Sequence, residues 1–135
     1  GMSYADDLAE VNSHIKQGEY VQAAEKIENY VRQNPRSLEG RFLKGVILSE
    51  QGKTQDAIQV FYQLTQDFPS VPEPYNNLAV LYASTGQYNK ARYALELAIK
   101  THPAYSAAHD NLSNIYSYMA SVAYNKALQL DKEKN

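Results

Sequence analysis

Several residue types are absent or scarce in this chain, and each absence excludes a class of protein. The 135 residues include no cysteine and no tryptophan, and the lack of cysteine excludes disulfides, thiol catalysis and thiolate metal sites. Lys and Arg number 13 against 15 Asp and Glu, so the net charge is −2 and a field that attracts nucleic acid is not expected. No apolar run approaches the roughly 18 residues that a membrane span requires. This length fits a single domain, which we place at residues 1–135.

The three histidines do not suggest a chemical site. His102 and His109 lie seven positions apart, and only Asp110 is near enough in sequence to add a ligand, whereas zinc sites take three or four protein ligands. Ser106, His109 and Asp110 are too local on one helix to act as nucleophile, base and orienting acid. The sequence has no glycine-rich phosphate loop. We therefore expect no catalytic residue, no metal and no cofactor.

What the sequence does contain is an internal repeat. A glycine, an alanine, a large apolar residue and a proline recur three times at one constant spacing. They are Gly18, Ala23, Ile27 and Pro35, then Gly52, Ala57, Phe61 and Pro69, then Gly86, Ala91, Leu95 and Pro103. The glycine permits the positive φ that ends a first helix, and the alanine lets a second helix pack closely. Because the proline then stops the second helix, the columns predict helix pairs joined by short linkers.

These columns resemble the tetratricopeptide repeat, whose period is about 34 residues and whose pattern is W-x2-L-G-x2-Y…A-x3-F…P. Three repeats cover residues 4–37, 38–71 and 72–105, and the third fits best, with Tyr75, Leu78, Gly86, Ala91 and Pro103 in place. The resemblance implies an all-α fold. It would be a right-handed α-solenoid of three helix pairs plus one long C-terminal helix, about seven helices in all.

The fourth unit departs from this pattern. It starts in register at His109, Leu112 and Tyr116, but YMASVAYNKALQLD, residues 118–131, has no glycine or proline where a turn should follow. The apolar spacing predicts one continuous helix over residues 106–131. This helix is either a solvated cap of the stack or an assembly surface. The residues that would form such a surface are Tyr118, Met119, Val122 and Tyr124.

A more particular resemblance covers RFLKGVILSEQGKTQDAIQVF (41–61) and EPYNNLAVLYASTGQYNKARYALELAI (73–99). These stretches are similar to tetratricopeptide segments of bacterial envelope proteins, which follow a signal peptide and precede a nuclear-transport-factor-like domain. Gly1 ahead of Met2 also looks like a tag remnant. The resemblance implies that the chain is part of a larger secreted or periplasmic protein. We expect the periplasm or cell envelope rather than the cytoplasm.

The resemblance to tetratricopeptide repeats also implies a concave groove lined by the first helix of each repeat. In the family, positions 2, 5, 6 and 9 of these helices point into the groove. Here they include Leu8, Asn12, Glu39, Phe42, Leu43, Val46, Glu73, Asn76, Asn77, Val80, Asp110, Asn111 and Asn114. Asn77 and Asn111 share one groove position in adjacent repeats. Their carboxamides would hold the backbone of an extended segment, or they would simply satisfy nearby helix backbone and water.

The predicted groove is apolar in its first half and rich in carboxamides in its second. None of the groove positions is basic, whereas the carboxylate clamp of the family grips a C-terminal carboxylate with Lys and Arg. We therefore expect a non-enzymatic scaffold that binds a neutral or basic extended segment of a protein or peptide, not an acidic C-terminal tail. The alternative function is assembly, for instance as a homodimer, through the long C-terminal helix.

One pair of charges interrupts the core pattern. Position 7 of the first helix is leucine at Leu78 and Leu112, but it is Glu10 and Lys44 in the first two repeats. The repeat register makes them neighbours. They would form either a partly buried ion pair with each other, or two side chains that extend separately to solvent.

Overall fold

Seven α-helices make up the secondary structure of the computed structural model, which describes the backbone of residues 4–134 and the side chains of residues 6–134. They are α1 (Tyr4–Lys16), α2 (Tyr20–Gln33), α3 (Leu38–Glu50), α4 (Thr54–Asp67), α5 (Pro72–Ser84), α6 (Tyr88–Thr101) and α7 (Ser106–Lys134). No strand occurs within residues 4–134. The predicted all-α fold with about seven helices is confirmed. Gly1 and Met2, which the sequence suggests are a tag remnant, lie outside the described residues.

The same turn joins the two helices of each pair. Gly18, Gly52 and Gly86 adopt φ values of +74°, +76° and +79°, a region that glycine enters without steric cost. In the first turn the N–H of Glu19 donates to the carbonyl oxygen of His14, 2.8 Å away, and the other two turns repeat this bond at 2.9 Å. This is the Schellman motif, which satisfies carbonyls left open at a helix end. The glycine column therefore sets where each second helix begins.

The chain divides into two compact units, which we call unit 1 (residues 1–74) and unit 2 (residues 75–135). In unit 1, α1 packs on α2, α2 on α3 and α3 on α4. A buried cluster of Val11, Ala23, Ile27 and Ile47 joins the first three of these helices. The assignment of residues 1–135 to one domain remains a prediction.

A close contact between α3 and α4 fixes the apolar surface of unit 1. A Cβ atom at Gly45 would lie 2.7 Å from the ring of Phe61, so the absence of a side chain at Gly45 lets that ring lie directly beneath α3. Phe61 is only 1% exposed. Its ring meets the ring of Phe42 edge to face, with centroids 5.4 Å apart and planes at 73°. Phe61 therefore provides a buried contact for the ring of Phe42.

Unit 2 has a core built from the alanine and leucine columns. Tyr75 and Ala79 of α5 share a buried cluster with Ala91 and Leu95 of α6 and with Ile115 of α7. Only the first half of α7 takes part, because every residue from 120 to 134 is exposed. The long helix that the sequence predicts is continuous, and its second half extends beyond this core.

The charges that interrupt the core pattern of unit 1 both find partners on α2. Lys26 Nζ lies 3.0 Å from Glu10 Oε2, and Lys44 Nζ lies 3.2 Å from Glu28 Oε1. Of the two alternatives, the direct Glu10–Lys44 ion pair does not form, because α2 packs against both α1 and α3 and supplies an opposite charge to each. All four side chains are between 31% and 51% exposed, which keeps their desolvation cost low.

Candidate functional site

Unit 1 contains an apolar pocket of about 290 Å³. Six of its nine lining residues are apolar, and the three polar ones are an asparagine and two glutamates. The lining consists of Leu8, Asn12, Leu38, Glu39, Phe42, Leu43, Val71, Glu73 and Pro74. Concave surfaces that are largely apolar, with a few polar groups, are the usual form of a binding site. Six of the predicted groove residues meet here, namely Leu8, Asn12, Glu39, Phe42, Leu43 and Glu73.

Three first helices supply the walls of the pocket. Leu8 and Asn12 are four residues apart on α1, so both point to one side of that helix. Phe42 lies four residues after Leu38 on α3 in the same way, and its ring contacts the ring of Phe61. The start of α5 supplies Pro74. Helix periodicity and one buried aromatic contact are therefore enough to form the site.

The charge at the pocket is negative and uncompensated. Glu39 and Glu73 are both exposed, and no Lys or Arg in the described part of unit 1 forms an ion pair with either. The nearest cation in sequence is instead engaged elsewhere, since Arg41 Nη2 lies 2.6 Å from Asp67 Oδ2. Hydrogen bonds from Arg41 and then Gln63 lower the pKa of Asp67. A cationic group on a ligand would therefore find two carboxylates open to it.

One N–H group of the Asn12 carboxamide is hydrogen-bonded to the backbone of its own helix. Its Nδ2 donates to the carbonyl oxygen of Leu8, 3.2 Å away. That bond uses one of two N–H groups and leaves the carboxamide oxygen as an acceptor. Asn12 can therefore still contribute one donor and one acceptor at the rim of the pocket.

A pair of carboxamides forms the polar feature of unit 2. Asn111 Nδ2 on α7 donates to Asn76 Oδ1 on α5 over 2.9 Å. Asn77, which shares its repeat position with Asn111, is not part of this bond, and its place in a groove remains a prediction. Asn76 is the buried one, 9% exposed, because one residue along a helix turns a side chain by about 100°. The remaining groups are two N–H of Asn76 and one N–H plus the oxygen of Asn111.

The other predicted groove residues have different surroundings. Val46 and Asn77 are half-buried, and Val46 does not line the pocket of unit 1. Of the predicted groove residues in unit 2, Val80, Asp110 and Asn114 are exposed to solvent. The structure thus gives a pocket in unit 1 and a carboxamide pair in unit 2.

Sequence reasoning missed three lining residues, Leu38, Val71 and Pro74. Leu38 is the first residue of α3, a position that the family pattern does not assign to the groove. A signal for the other two was present in VPEP, residues 71–74, where two prolines open α5 directly after a short linker. Proline favours the first turn of a helix. The apolar residues at this helix start therefore have defined positions beside the pocket.

The predicted assembly surface on α7 divides into two parts. Tyr118 stacks on Tyr88 of α6, with ring centroids 4.2 Å apart, and a hydrogen bond with Tyr118 raises the pKa of Tyr88. Met119 packs against the core of unit 2. Val122 and Tyr124 are 50% and 67% exposed. The first two residues therefore have contacts within the chain, and the second two are open to solvent.

Across residues 4–134, no group of three or more His, Asp or Glu side chains is arranged to hold a metal ion. None of the seven helices in this part of the chain has the length and apolar character to cross a membrane.

The sequence matches models of one family. Two models described as tetratricopeptide repeat match, one over residues 8–72 and the other over residues 48–115. The second alone spans just over half of the 135 residues. Among curated proteins, none matches the chain.

Several solved structures share the fold at low sequence identity. YrrB, a TPR protein with an unusual peptide-binding site, is 24% identical with a TM-score of 0.74, and the match covers 82% of this chain and 58% of YrrB. The chain thus spans less than two thirds of YrrB. The Sgt2 TPR domain from Aspergillus fumigatus is 15% identical with a TM-score of 0.82, over 90% of this chain and 82% of that domain. The first TPR of Spaghetti (RPAP3), bound to the HSP90 peptide SRMEEVD, is 15% identical with a TM-score of 0.78, over 87% and 93%. These likenesses confirm the predicted fold class.

Proposed function

We propose that this chain, which belongs to the tetratricopeptide repeat family, is a non-enzymatic scaffold that binds an extended segment of a protein or peptide. The observation that carries the proposal is the apolar pocket of unit 1 with Glu39 and Glu73 unpaired among the described residues. Burying an apolar side chain of a ligand against such a surface lowers the free energy of the complex. YrrB, which has a peptide-binding site, shares the fold.

The pocket suits one apolar side chain next to a cationic one. Its apolar walls, Leu38, Phe42 and Leu43 among them, would bury a leucine-sized or larger side chain. The carboxylates of Glu39 and Glu73 would attract a Lys or Arg close by in the same segment, each charge adding roughly 1 kcal/mol at contact in water. The occupant is therefore an extended, neutral or basic segment with an apolar anchor.

An acidic C-terminal tail does not suit this pocket. The first TPR of Spaghetti (RPAP3) is bound to the HSP90 peptide SRMEEVD, which carries two glutamates and an aspartate. The nine residues that line the pocket of unit 1 include two carboxylates and no Lys or Arg. Like charges brought together raise the free energy of binding, so this chain would reject such a peptide.

The carboxamide pair of unit 2 would act on the backbone of a bound segment. Asn76 and Asn111 form one hydrogen bond with each other. Three N–H donors and one oxygen acceptor of the two carboxamides are not used by that bond. An extended backbone presents alternating N–H and C=O groups, so these groups would hold it without reading its side chains. Asn77, half-buried beside them in sequence, would contribute in the same way.

Binding of two matched peptides tests the pocket. Both are capped at each end and carry a central leucine, flanked in one by lysines and in the other by glutamates. We expect the lysine peptide to bind more tightly, and the difference to shrink as salt is raised. The double variant Glu39→Lys/Glu73→Lys should invert the preference, whereas the matched control Glu25→Lys, an exposed carboxylate of α2, should leave it unchanged. Equal binding of both peptides to the wild-type chain would contradict the proposal.

Two asparagine variants test the polar part. Asn111→Ala removes the partner of a buried carboxamide, so it should lower the free energy of unfolding by about 1–3 kcal/mol as well as weaken peptide binding. Asn77→Ala should weaken binding with little change in stability. If Asn77→Ala binds the lysine peptide as tightly as wild type, Asn77 has no part in holding the segment.

A second candidate function is assembly through α7. It is favoured by the exposure of large apolar side chains on the second half of that helix, including Val122 at 50%, Tyr124 at 67% and Leu130 at 46%. Exposed apolar surface of this kind commonly marks an interface. A solution mass above the 15.2 kDa of one chain would support it, and a mass that stays at this value at all concentrations would exclude it.

The location of the protein stays a proposal that rests on sequence resemblance. We propose the periplasm or cell envelope, as part of a larger protein, because residues 41–61 and 73–99 resemble segments of envelope proteins. Fractionation of source cells, followed by detection with an antibody against this chain, tests it. Recovery in the cytoplasmic fraction alone would contradict it.

A further inference from the structure

The second half of α7 repeats the sequence of a second helix. Residues 124–127 read YNKA, and residues 88–91 at the start of α6 also read YNKA. In the repeats, the alanine of this stretch is Ala23, Ala57 or Ala91, and each of these is 0% exposed. Ala127, which holds the same place, is exposed. This segment therefore has the pattern of a packed helix without a packing partner among the described residues.

The first half of α7 has the pattern of a first helix, but positions that are buried in α5 are exposed in it. It follows α5 with an offset of one repeat period, so His109 and Ser113 correspond to Tyr75 and Ala79. In α5 these positions are 8% and 1% exposed, within the cluster shared with α6. In α7 both are exposed. This half therefore resembles a first helix whose second helix is not in place.

One helix thus carries both halves of a helix pair, and it cannot bring them together. Residues 117–123 contain no glycine or proline, and α7 runs through them without a turn. The second half continues in the direction of the first, so it cannot fold back to cover that half within one chain.

We infer that two copies of this chain pair through α7 in antiparallel fashion, so that the second half of each α7 serves as second helix to the first half of the other. In a two-fold dimer, the first half of each α7 packs against the second half of the other, so both exposed halves are covered at once. The inference rests on the assembly candidate and is independent of the pocket in unit 1.

The helix pair α5–α6 supplies the register. There the Lys90 ammonium lies 5.7 Å from the centroid of the Tyr82 ring. Tyr116 stands one repeat period after Tyr82, and Lys126 holds the place of Lys90 in the second YNKA stretch. Tyr116 of one copy would therefore lie beside Lys126 and Ala127 of the second copy.

A single face of α7 fits this register. Positions that alternate four and three residues apart stay on one side of a helix, and here every one of them is exposed. They are His109, Ser113, Tyr116, Ala120, Ala123, Ala127 and Leu130. In the antiparallel pair, Ala120 would face Ala123 of the second copy, and Ser113 would face Leu130. Alanines at the centre allow the two backbones to approach closely, as at the alanine column of the repeats.

Engineered disulfides test this arrangement, since the chain has no cysteine of its own. Ser113→Cys/Leu130→Cys places two thiols 17 positions apart on one helix, roughly 25 Å at 1.5 Å per residue, so they cannot join within a chain. We expect a covalent dimer on mild oxidation. The matched control, Asn114→Cys/Gln129→Cys, has the same antiparallel register on a different face, and it should stay uncrosslinked.

Sedimentation of the 135-residue chain supplies the second test. Wild type should shift towards twice 15.2 kDa as concentration rises. Ala123→Arg should abolish the shift, because it places a charge at the centre of the pair, while Asn125→Arg on the other face should not. Both residues are exposed in the single chain, so circular dichroism should show both variants folded.

The outcomes of these experiments distinguish antiparallel pairing through α7 from self-association in general. A chain that keeps the mass of a single copy at every concentration overturns both. A dimer that crosslinks through positions 114 and 129, or that survives Ala123→Arg, keeps the assembly candidate and overturns the antiparallel pairing. None of these results changes the binding of peptides to unit 1, which is measured separately.

Discussion

Unit 1 and unit 2 fill equivalent positions of the repeat with different side chains. Unit 1 has Gly45 directly over the ring of Phe61, and unit 2 has Ala79 and Leu95 at the positions one repeat later. All four residues are buried. A larger second-helix residue goes with a smaller first-helix residue, as close packing requires. The second and third repeats thus keep the volume of the pair rather than either residue, whereas the first repeat has the larger buried pair Val11 and Ile27.

The units also differ at position 7 of the first helix. In unit 2 this position is Leu78, which is 4% exposed. In unit 1 it is Glu10 or Lys44, and each is paired with a charge on α2. A charge is tolerated in unit 1 because its partner lies on the adjacent helix α2 and both side chains remain partly hydrated.

The largest effect should come from breaking the volume match in unit 1. Gly45→Ala places a Cβ atom 2.7 Å from the Phe61 ring, which is 1% exposed and in contact with Phe42. Overpacking of this kind costs about 1–3 kcal/mol, and it should outweigh the gain of up to about 1 kcal/mol from replacing glycine in a helix. Urea unfolding of the two chains measures the difference.

The control places the residue types of unit 2 at the two equivalent positions of unit 1. Gly45→Ala/Phe61→Leu restores the Ala79 and Leu95 combination, so it should recover part of the stability lost by Gly45→Ala alone. If the double variant is less stable than Gly45→Ala by the full cost of Phe61→Leu, the two positions are independent and the volume argument is wrong.

The next effect should be the same in both units. Gly52→Ala and Gly86→Ala each force a Cβ atom into a left-handed conformation, at φ of +76° and +79°, which costs about 1–2 kcal/mol. No atom lies within 4 Å of either added Cβ, so the cost comes from the backbone alone. Thermal unfolding should show equal losses, and replacement by asparagine should cost less in each. A loss confined to one variant would mean that the turns are not equivalent.

Helix ends and the fold class could be read from the sequence because their causes are local. Gly18, Gly52 and Gly86 each close a helix through a backbone conformation that few other residues adopt. The absence of glycine and proline from residues 118–131 predicted the continuity of α7 in the same way.

The partners of polar side chains could not be read, because they depend on helix rotation. Asn76 rather than Asn77 bonds to Asn111, and α2 rather than a neighbouring first helix supplies the partners of Glu10 and Lys44. For Glu10 and Lys44, period and register did not give the helix on which the partner lies. They also do not give the rotation of about 100° that separates adjacent residues on a helix.

Replacing the charge of unit 1 with the apolar residue type of unit 2 should have a smaller effect. Lys44→Met removes an ion pair with Glu28 that is 31% and 51% exposed on its two sides. Such pairs contribute about 0–1 kcal/mol, and the methionine keeps most of the packing volume. We expect a midpoint in urea that is unchanged or raised. A clear loss for Lys44→Met that is matched by Glu28→Gln would show that the pair is needed.

The smallest effect concerns a surface ion pair that unit 2 does not have. Arg41 and Asp67 of unit 1 lie 2.6 Å apart, and the positions one repeat later are Tyr75 and Thr101. Because the Arg41 hydrogen bond lowers the pKa of Asp67 below the usual 3.8, folding favours the charged carboxylate. Its contribution to stability is present above pH 3.8 and is lost as pH falls through the lowered pKa. Asp67→Asn should therefore flatten the acid side of the stability profile slightly, whereas Asp56→Asn, an exposed residue of the same helix, should not. Identical acid profiles for wild type and Asp67→Asn would show that the ion pair contributes no measurable stability.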